Sequence, residues 1–216
     1  MSISSSQLAQ MGFLEGDVVE TIVTTISATD IPNAAPMGVW VDSGARLTMH
    51  PYEGTTTAIN MNHTGEAVIN LTHNPHIFLA TAFKEELQTL KIPAFVAARK
   101  VSTPRLEGMS GYLEVSVESR KEMEKSARFQ EFQCNIEHLE ILSPFPVVHS
   151  RARCAAIECV IHATRIRALH RVDEKITQSL VSKIHEHHDV VKRIAPESPS
   201  ATVIQHIIEL LPCWTR

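Results

Sequence analysis

Three short segments between residues 33 and 72 decide the fold. They read NAAPMG at residues 33–38, PYEGTTT at 51–57 and AVINLT at 67–72. Small residues, turn formers and hydroxyls recur here between short apolar runs. This composition is typical of a backbone that approaches a flat, phosphorylated ligand closely, because Gly38 and Gly54 bring no side-chain bulk to it.

The threonine run follows directly after Gly54. Thr55, Thr56 and Thr57 place three hydroxyls and three amides at one turn. Neutral donors of this kind hold a phosphate dianion when a turn directs several N–H groups inward. The alternative is a β-hairpin with a threonine-rich turn, and a short polar motif alone does not decide between the two.

The order of the motifs resembles the FMN-binding split-barrel superfamily, and most resembles a group of archaeal and methylotroph flavoproteins of unknown function. The pattern is Asn-x-x-Pro-Met-Gly, then Gly-Thr-Thr-Thr-x-x-Asn, then Val-Ile-Asn-Leu-Thr. The segment 20–25 is similar to that group's first strand, and 151–165 is similar to its C-terminal helical part. The resemblance implies an α+β fold, in which a split β-barrel of the flavin-reductase-like kind precedes a C-terminal helical subdomain.

The resemblance also implies FMN as the cofactor and assigns roles to particular residues. The implied binding residues are Asn33, Met37 and Gly38 along the isoalloxazine ring, Thr55, Thr56 and Thr57 around the ribityl phosphate, and Asn60 and Asn70 on the loops or the cofactor. The threonine turn lacks the Lys or Arg that some relatives place there. The counter-charge to the phosphate must therefore come from elsewhere, or the affinity is modest.

A stripe of charged residues marks the C-terminal part of the chain. Arg151, Glu158 and Arg165 are spaced by seven residues, which puts them on one face of a helix beside His162. Such a stripe is usually solvated. The alternative is that Arg151 or Arg165, at positions that the resembling family keeps basic, reaches the flavin phosphate with Glu158 orienting it, since Arg suits bidentate phosphate contacts.

Composition excludes several classes of protein. The 216 residues are 44% hydrophobic with a net charge of −4, which favours one domain with an appendage and gives no reason to expect nucleic acid or a membrane. The N-terminus does not resemble a signal peptide, and the four cysteines form no Cys-x-x-Cys pair, so we expect a cytoplasmic protein. Gly-x-Gly-x-x-Gly and Gly-Lys-Ser/Thr motifs are absent.

Periodicity and turn formers predict the elements and the domains. We expect a loose arm over 1–15, a split barrel over 1–148 and a helical subdomain over 149–216. The predicted strands are 18–28, 36–42, 46–49, 66–72, 111–120 and 129–142, of which 111–120 alternates as a half-buried strand does. The predicted helices are 56–62, one that starts at Asn74-Pro75, 151–171, 172–194 and 203–211.

Histidines supply the other titratable candidates. His185 and His188 share a helix face and can share a metal ion, but no third ligand is near in sequence and a polar face is the preferred interpretation, so we predict no metal site. A second set flanks the proposed flavin loops and comprises His50, His63, His73 and His76. One of this set can donate a proton to reduced flavin or substrate, and the sequence does not choose among them.

The resemblance implies a function and an assembly. We expect an FMN-dependent oxidoreductase that takes hydride from NAD(P)H, as a homodimer with FMN at the subunit interface. The alternative is a non-catalytic flavin-binding or carrier protein, linked to one-carbon or pterin metabolism by the distribution of the relatives. A third possibility is a ligand-binding protein on this fold without flavin. The catalytic residues and the substrate are not readable from the sequence.

Overall fold

The computed structural model describes residues 4–13, 18–41, 46–122, 129–143 and 151–215. These residues form two compact units. The barrel unit holds the described residues up to Thr72 and those from Pro93 to 143, and the helical unit holds His73–Ile92 and the described residues from 151 onward.

Six antiparallel strands close the barrel in the order β1-β2-β3-β8-β7-β4. The strands of the chain are β1 Val19–Ile26, β2 Pro32–Val41, β3 Leu47–Met49, β4 Glu66–Leu71, β5 Phe95–Val96, β6 Arg105–Leu106, β7 Gly111–Glu122 and β8 Gln130–Ile141. β1 and β4 close the ring through three opposed pairs, Val23↔Ile69 at their centre. The α+β class and the barrel that the sequence predicts are therefore confirmed.

The barrel interior is filled by aliphatic side chains at alternate strand positions. The buried cluster comprises Val23, Val39, Val41, Leu47, Met49, Ala67, Ile69, Leu113, Val115, Phe132 and Cys134, together with Leu8, Phe13 and Met61. Burial raises the pKa of the Cys134 thiol to about 12, so that this thiol is protonated at neutral pH.

The expectation of a loose N-terminal arm is wrong. Residues Ser5–Gln10 form a helix, α1, which begins at a capping box in which Ser4 and Gln7 satisfy each other's backbone N–H groups. Leu8 and Phe13 are 0% and 2% exposed and belong to the barrel core. Burial of these two side chains explains why the segment is ordered against the barrel.

The predicted helix after the threonines is α2, Thr56–Thr64. Thr55 is its N-cap, and Gly65 ends it at a φ of 68°, the left-handed conformation that glycine adopts without strain. The helix buries one face, on which Met61 enters the barrel core. Its opposite face carries the exposed residues described below.

Between β4 and β7, residues His73–Ile92 belong to the helical unit, and the chain rejoins the barrel unit at Pro93. Residues 93–110 include the two-stranded β5–β6 ladder and cover the outer face of the barrel strands, where Val101 packs against Val68 and Tyr112. The half-buried character predicted for β7 is therefore wrong at its start. Tyr112 is 1% exposed and Glu114 is fully buried.

The described residues of the helical unit form four α-helices. They are α3 Pro75–Ala82, α4 Arg151–Leu169, α5 Glu174–Ile194 and α6 Pro199–Leu210, and a 3-10 turn at Leu211–Cys213 follows. α3 begins at Asn74 as predicted, because the Asn side chain accepts the His76 N–H and Pro75 occupies the first helical position. α4 packs against the other three through a face rich in alanine.

The strands and helices that the sequence predicts are confirmed within a few residues. The connection between the predicted strands 36–42 and 46–49, and most of that between 111–120 and 129–142, lie outside the described residues, as does the predicted domain boundary at 148/149. The predicted bounds place His73–Ile92 with the barrel, whereas in the compact units this segment belongs to the helical unit. None of the helices in the described ranges is both long and apolar enough to cross a bilayer.

Candidate functional site

The threonine turn forms the start of α2. The Thr55 N–H donates to the Tyr52 carbonyl at 3.2 Å, and Gly54 between them has a φ of 76°. That geometry is typical of a type II turn, whose third position favours glycine. α2 begins directly after this turn, and the N–H groups of its first turn have no backbone acceptors within the helix.

The three threonine hydroxyls differ in their availability. The Thr55 hydroxyl caps the helix, because it donates to the Tyr52 carbonyl at 2.7 Å and accepts the Ala58 N–H at 3.4 Å. Thr57 is buried, and its hydroxyl accepts from the Asn33 amide at 3.3 Å. Thr56 is exposed at the first helical position. Thr56 therefore offers the hydroxyl for a ligand, whereas its two neighbours build the turn.

This donor set suits a phosphate group. An α-helix N-terminus presents N–H donors and a partial positive charge, and α2 carries no acidic residue in its first turn. Nothing fills the space that a Cβ at Gly54 would occupy, so the approach to the turn is open.

β2 contributes a backbone edge beside this turn. It pairs with β1 along its length, but with β3 only from Val39 to Val41. From Ala35 to Gly38 the second edge of β2 therefore pairs with no strand of the described chain. Alternate residues of such an edge direct main-chain N–H and C=O groups outward, and these groups can recognise the polar rim of a flat heterocycle.

Met37 and Gly38 lie on this edge with different surroundings. The Met37 carbonyl accepts the Thr21 hydroxyl at 3.0 Å, and its side chain packs towards the barrel core. A Cβ at Gly38 would lie 2.8 Å from Val18 Cγ1 and 3.7 Å from Trp40 Cη2. A side chain at this position would therefore have to displace Val18, and the ligand-facing role predicted for Gly38 depends on its main chain.

The two predicted asparagines are buried in the barrel unit. Asn60, on α2, donates to the Thr25 hydroxyl at 3.1 Å. Asn70 donates to the Ile22 carbonyl at 3.0 Å and accepts the Leu106 N–H at 2.7 Å. Asn70 thus links the barrel wall to the covering segment, residues 93–110. The sequence left two roles open for Asn70, and these contacts fit the role of holding a loop.

Arg151 and Arg165 lie in the helical unit, on α4. Both are exposed, as is Glu158 between them. The two arginines are fourteen residues apart, which corresponds to about 21 Å along an α-helix. A single phosphate therefore meets at most one of the two directly.

The histidines separate into distinct environments. In the barrel unit, the His50 ring is stacked on Phe129 and tilted against Trp40, with ring centroids 5.2 and 4.6 Å away. Its Nε2 lies 3.4 Å from Glu131 without hydrogen-bond geometry. His63 is exposed on the last turn of α2.

His73 and His76 belong to the helical unit. Burial, and next the nearby Arg153 guanidinium, lower the pKa of His73 below its ordinary value of 6.5. His185 is exposed on α5, and across the described ranges no group of three His, Cys, Asp or Glu side chains is arranged to hold a metal ion.

A concavity of about 320 Å³ lies between α2 and the β1–β2 turn. Its lining residues are Ser27, Ala28, Thr29, Ile59, Asn60, Asn62 and His63. The sequence predicted only Asn60 and His63 among these as candidates. The others become visible only once the buried and exposed faces of α2 are known.

Sequence reasoning also missed the acidic residues that fix the covering segment. Glu114 accepts the backbone N–H groups of Arg99, Lys100 and Val101 at 2.7, 2.5 and 3.1 Å. Glu66 accepts those of Ser102 and Thr103 at 2.8 and 3.3 Å. Five consecutive amides therefore converge on two carboxylates of the barrel wall.

A second polar cluster borders the same segment. The Tyr112 hydroxyl donates to Glu140, and Arg99 donates to the same carboxylate at 2.9 Å. The Arg105 guanidinium lies 4.9 Å from the Tyr112 ring centre. Burial, and next the hydrogen bond to Glu140, raise the pKa of the Tyr112 hydroxyl. These contacts clamp the segment and leave Tyr112 protonated at neutral pH.

Comparison with protein families identifies the chain. Residues 19–143 match the family described as "Protein of unknown function (DUF447) N-terminal domain". The chain belongs to this family. The match spans more than half of the sequence and contains both α2 and the free edge of β2.

Solved structures share the fold. The FMN-bound protein MM1853 from Methanosarcina mazei, of the same family, is 19% identical with a TM-score of 0.73, over 94% of this chain and 98% of that one. The homologue of nitrilotriacetate monooxygenase component B from Mycobacterium thermoresistibile is 12% identical with a TM-score of 0.51, over 60% and 72%. The 2-nitrobenzoate 2-nitroreductase NbaA from Pseudomonas fluorescens is 15% identical with a TM-score of 0.50, over 66% and 77%.

Proposed function

We propose that this protein binds FMN and is an oxidoreductase with a nicotinamide electron donor. The observation that carries the proposal is the joining of two features by the Asn33–Thr57 hydrogen bond of 3.3 Å. Thr57 lies in the first turn of α2, whose N–H donors suit a phosphate, and Asn33 lies on β2, next to its unpaired edge. A family member of known structure is FMN-bound, which supports the same cofactor here.

Different groups would bind the phosphate and the isoalloxazine ring of FMN. Thr56 and the first-turn N–H groups of α2 would hold the phosphate. The main chain from Ala35 to Gly38 would hold the polar rim of the isoalloxazine ring. Asn33, Thr55, Thr57 and Asn60 position these groups through the contacts given above. When bound, FMN supplies the chemistry of hydride transfer, and the protein supplies orientation and electrostatics.

The phosphate assignment is tested by comparing FMN with riboflavin. Replacing Thr56 by Val removes one hydrogen bond to a charged group, which should weaken FMN binding by about tenfold and leave riboflavin binding unchanged. Thr202→Val, at an exposed threonine near the start of α6, should change neither. Equal losses for FMN and riboflavin in Thr56→Val would contradict the phosphate assignment.

The counter-charge to the phosphate is assigned to Arg151 or Arg165. The first turn of α2 contains no cationic side chain, and these two guanidinium groups are exposed. Titration of FMN into Arg151→Gln and Arg165→Gln should show a loss of about tenfold or more in one variant only. Parental affinity in both variants would make the stripe a solvated helix face.

The reaction and the assembly are tested separately. We expect NADH or NADPH to bleach the flavin absorption in a stopped-flow experiment, which would distinguish an oxidoreductase from a non-catalytic flavin carrier. We also propose a homodimer with FMN at the subunit interface. Light scattering should therefore give twice the chain mass of 24.0 kDa, and a monomer that retains FMN would contradict the interfacial site.

A further inference from the structure

The concavity beside α2 shares only Asn60 with the residues that position the proposed FMN site. We propose that it is a subsite for the adenosine of an adenine nucleotide, either the second half of a flavin dinucleotide or a separate nucleotide. The first source rests on the proposed flavin function, whereas the second does not. The inference depends on the rigidity of the walls, their continuity with the phosphate-binding turn and the chemistry of the lining.

One wall is a turn that is held by its own side chain. The Ser27 hydroxyl accepts the N–H groups of Thr29 and Ile31 at 3.2 and 3.0 Å. The Asp30 N–H donates to the Ser27 carbonyl at 3.1 Å. These bonds close the turn internally, so the wall is formed before any ligand arrives.

The opposite wall, on α2, is held by hydrogen bonds to β7, β8 and β1. Asn62 donates to Gln130 at 2.7 Å, and Arg120 donates to both the side-chain and main-chain oxygens of Asn62 at 3.1 Å. Asn60 is held by Thr25. A site with preformed walls loses little conformational freedom when a ligand binds.

The concavity continues the surface of the phosphate-binding turn. Thr56, Ile59 and His63 follow one another at i, i+3 and i+7, so they lie on one exposed stripe of α2. Thr56 and His63 are about 10 Å apart along the helix axis. A group attached to a phosphate at the start of α2 can therefore extend along this stripe into the concavity.

The lining suits a flat, uncharged heterocycle attached to a sugar. The Ile59 side chain is 57% exposed and gives a large apolar surface among lining residues that are mostly polar. His63 adds a ring that can stack, and the Thr29 hydroxyl, which lies 3.1 Å from the Ser27 hydroxyl, can also bond to ribose or base. The lining contains no carboxylate, and the volume is at the lower end of the range of small-molecule sites, about 300–1,000 Å³.

Adenosine itself is the probe, because it carries no phosphate and does not compete for the start of α2. We expect isothermal titration to show adenosine binding to the FMN-loaded protein. Ile59→Ser and His63→Gln should each weaken this binding by about tenfold, the effect of losing one well-buried contact. Neither change should alter FMN affinity. Ile141→Ser, at an isoleucine that is 62% exposed on β8, is the matched control and should leave adenosine binding unchanged.

Competition distinguishes the two sources of the adenosine. If the site serves a flavin dinucleotide, FAD should bind more tightly than FMN and displace adenosine, and Ile59→Ser should remove this difference. If it serves a separate nucleotide, FAD should bind no better than FMN and adenosine should remain bound.

The proposal fails if adenosine does not bind to the folded protein, or if it binds equally to the parent, Ile59→Ser and His63→Gln. Failure of FMN binding would instead overturn the proposed function, and adenosine titration of the flavin-free protein would still test this subsite.

Discussion

The barrel unit and the helical unit are stabilised by different means. In the barrel unit, buried polar side chains fix the main chain of a covering segment, as Glu114 does with three backbone N–H groups. In the helical unit, α4 buries Ala152, Ala155, Ala156 and Ala163, whose small side chains let its neighbours approach closely. The comparison teaches that the covering segment of the first unit depends on satisfied hydrogen bonds, whereas the contacts of α4 in the second depend on side-chain volume.

The largest effect is expected from removing the buried carboxylate in the barrel unit. Glu114→Ala removes a buried carboxylate and leaves the backbone N–H groups of Arg99, Lys100 and Val101 without this acceptor, so it should lower the free energy of unfolding by about 3–5 kcal/mol. Glu114→Gln keeps an oxygen acceptor and should cost less. Urea unfolding checks this, with the exposed Glu107→Ala as control. A loss below about 1 kcal/mol in Glu114→Ala would contradict the importance of this carboxylate.

A volume change in the helical unit should have the next largest effect. Ala156 is fully buried on α4, so Ala156→Leu should overpack the helix contacts and destabilise by about 1–3 kcal/mol. Ala168→Leu adds the same volume at an exposed position of the same helix and should be close to neutral. The two variants are compared by thermal unfolding. Equal effects would mean that α4 does not depend on close packing.

A pH dependence should come from His162 in the helical unit. Burial lowers the pKa of this imidazole below its ordinary value of 6.5, Glu158 opposes the shift, and His187, Lys183 and Arg165 add to it. The His187 ring is 6.0 Å away, and His162 Nδ1 has no hydrogen-bond partner within the described chain.

Because the unfolded chain binds the proton more tightly, His162 destabilises the fold as the pH falls below 6.5. His162→Gln should therefore flatten the decline of stability between pH 7 and 5, measured by urea unfolding at each pH. The exposed His185→Gln should retain the decline. A parental slope in His162→Gln would assign the pH dependence to other groups.

The smallest effects are expected from surface ion pairs, and these should also differ between the units. Arg167 contacts Glu86 at 2.9 Å and lies 5.2 Å from the Phe83 ring centre, whereas Arg46 contacts Glu118 at 3.2 Å with both side chains more than 40% exposed. Arg167→Ala should cost about 1 kcal/mol and Arg46→Ala about 0.5 kcal/mol or less. Thermal unfolding of the two variants in low salt makes the comparison, and the reverse order would contradict a contribution from the ring.

Local signals predicted much of the fold. Asn74-Pro75 specifies the start of α3 through its own side chain and ring, so the sequence suffices there. The capping box of α1 is also present in the sequence as Ser4 and Gln7, but the serine-rich composition of this segment favours a loose arm. The burial of Leu8 in the barrel core depends on distant strands and has no local signal.

The candidate site was predictable in position but not in detail. The motif order placed the phosphate turn at Thr55, Thr56 and Thr57, yet only the structure shows that two of these hydroxyls have protein partners and one is exposed. Strand alternation placed Glu114 on a solvent-facing side. The covering segment buries Glu114 instead. The contact between Glu114 and residues 99–101 leaves no periodic pattern in the sequence from which it could be predicted.

The membership of α3 in the helical unit has a consequence for synthesis. α3 ends at Ala82 and its partner α4 begins at Arg151, so the ribosome adds about 70 residues between them, which takes roughly 3–14 s at ~5–20 residues per second. Phe78 and Leu79, at most 1% exposed in the finished protein, are without α4 during that interval. The nascent chain thus carries an apolar patch while the barrel is being completed, and this period is when it is most open to chaperones and to aggregation.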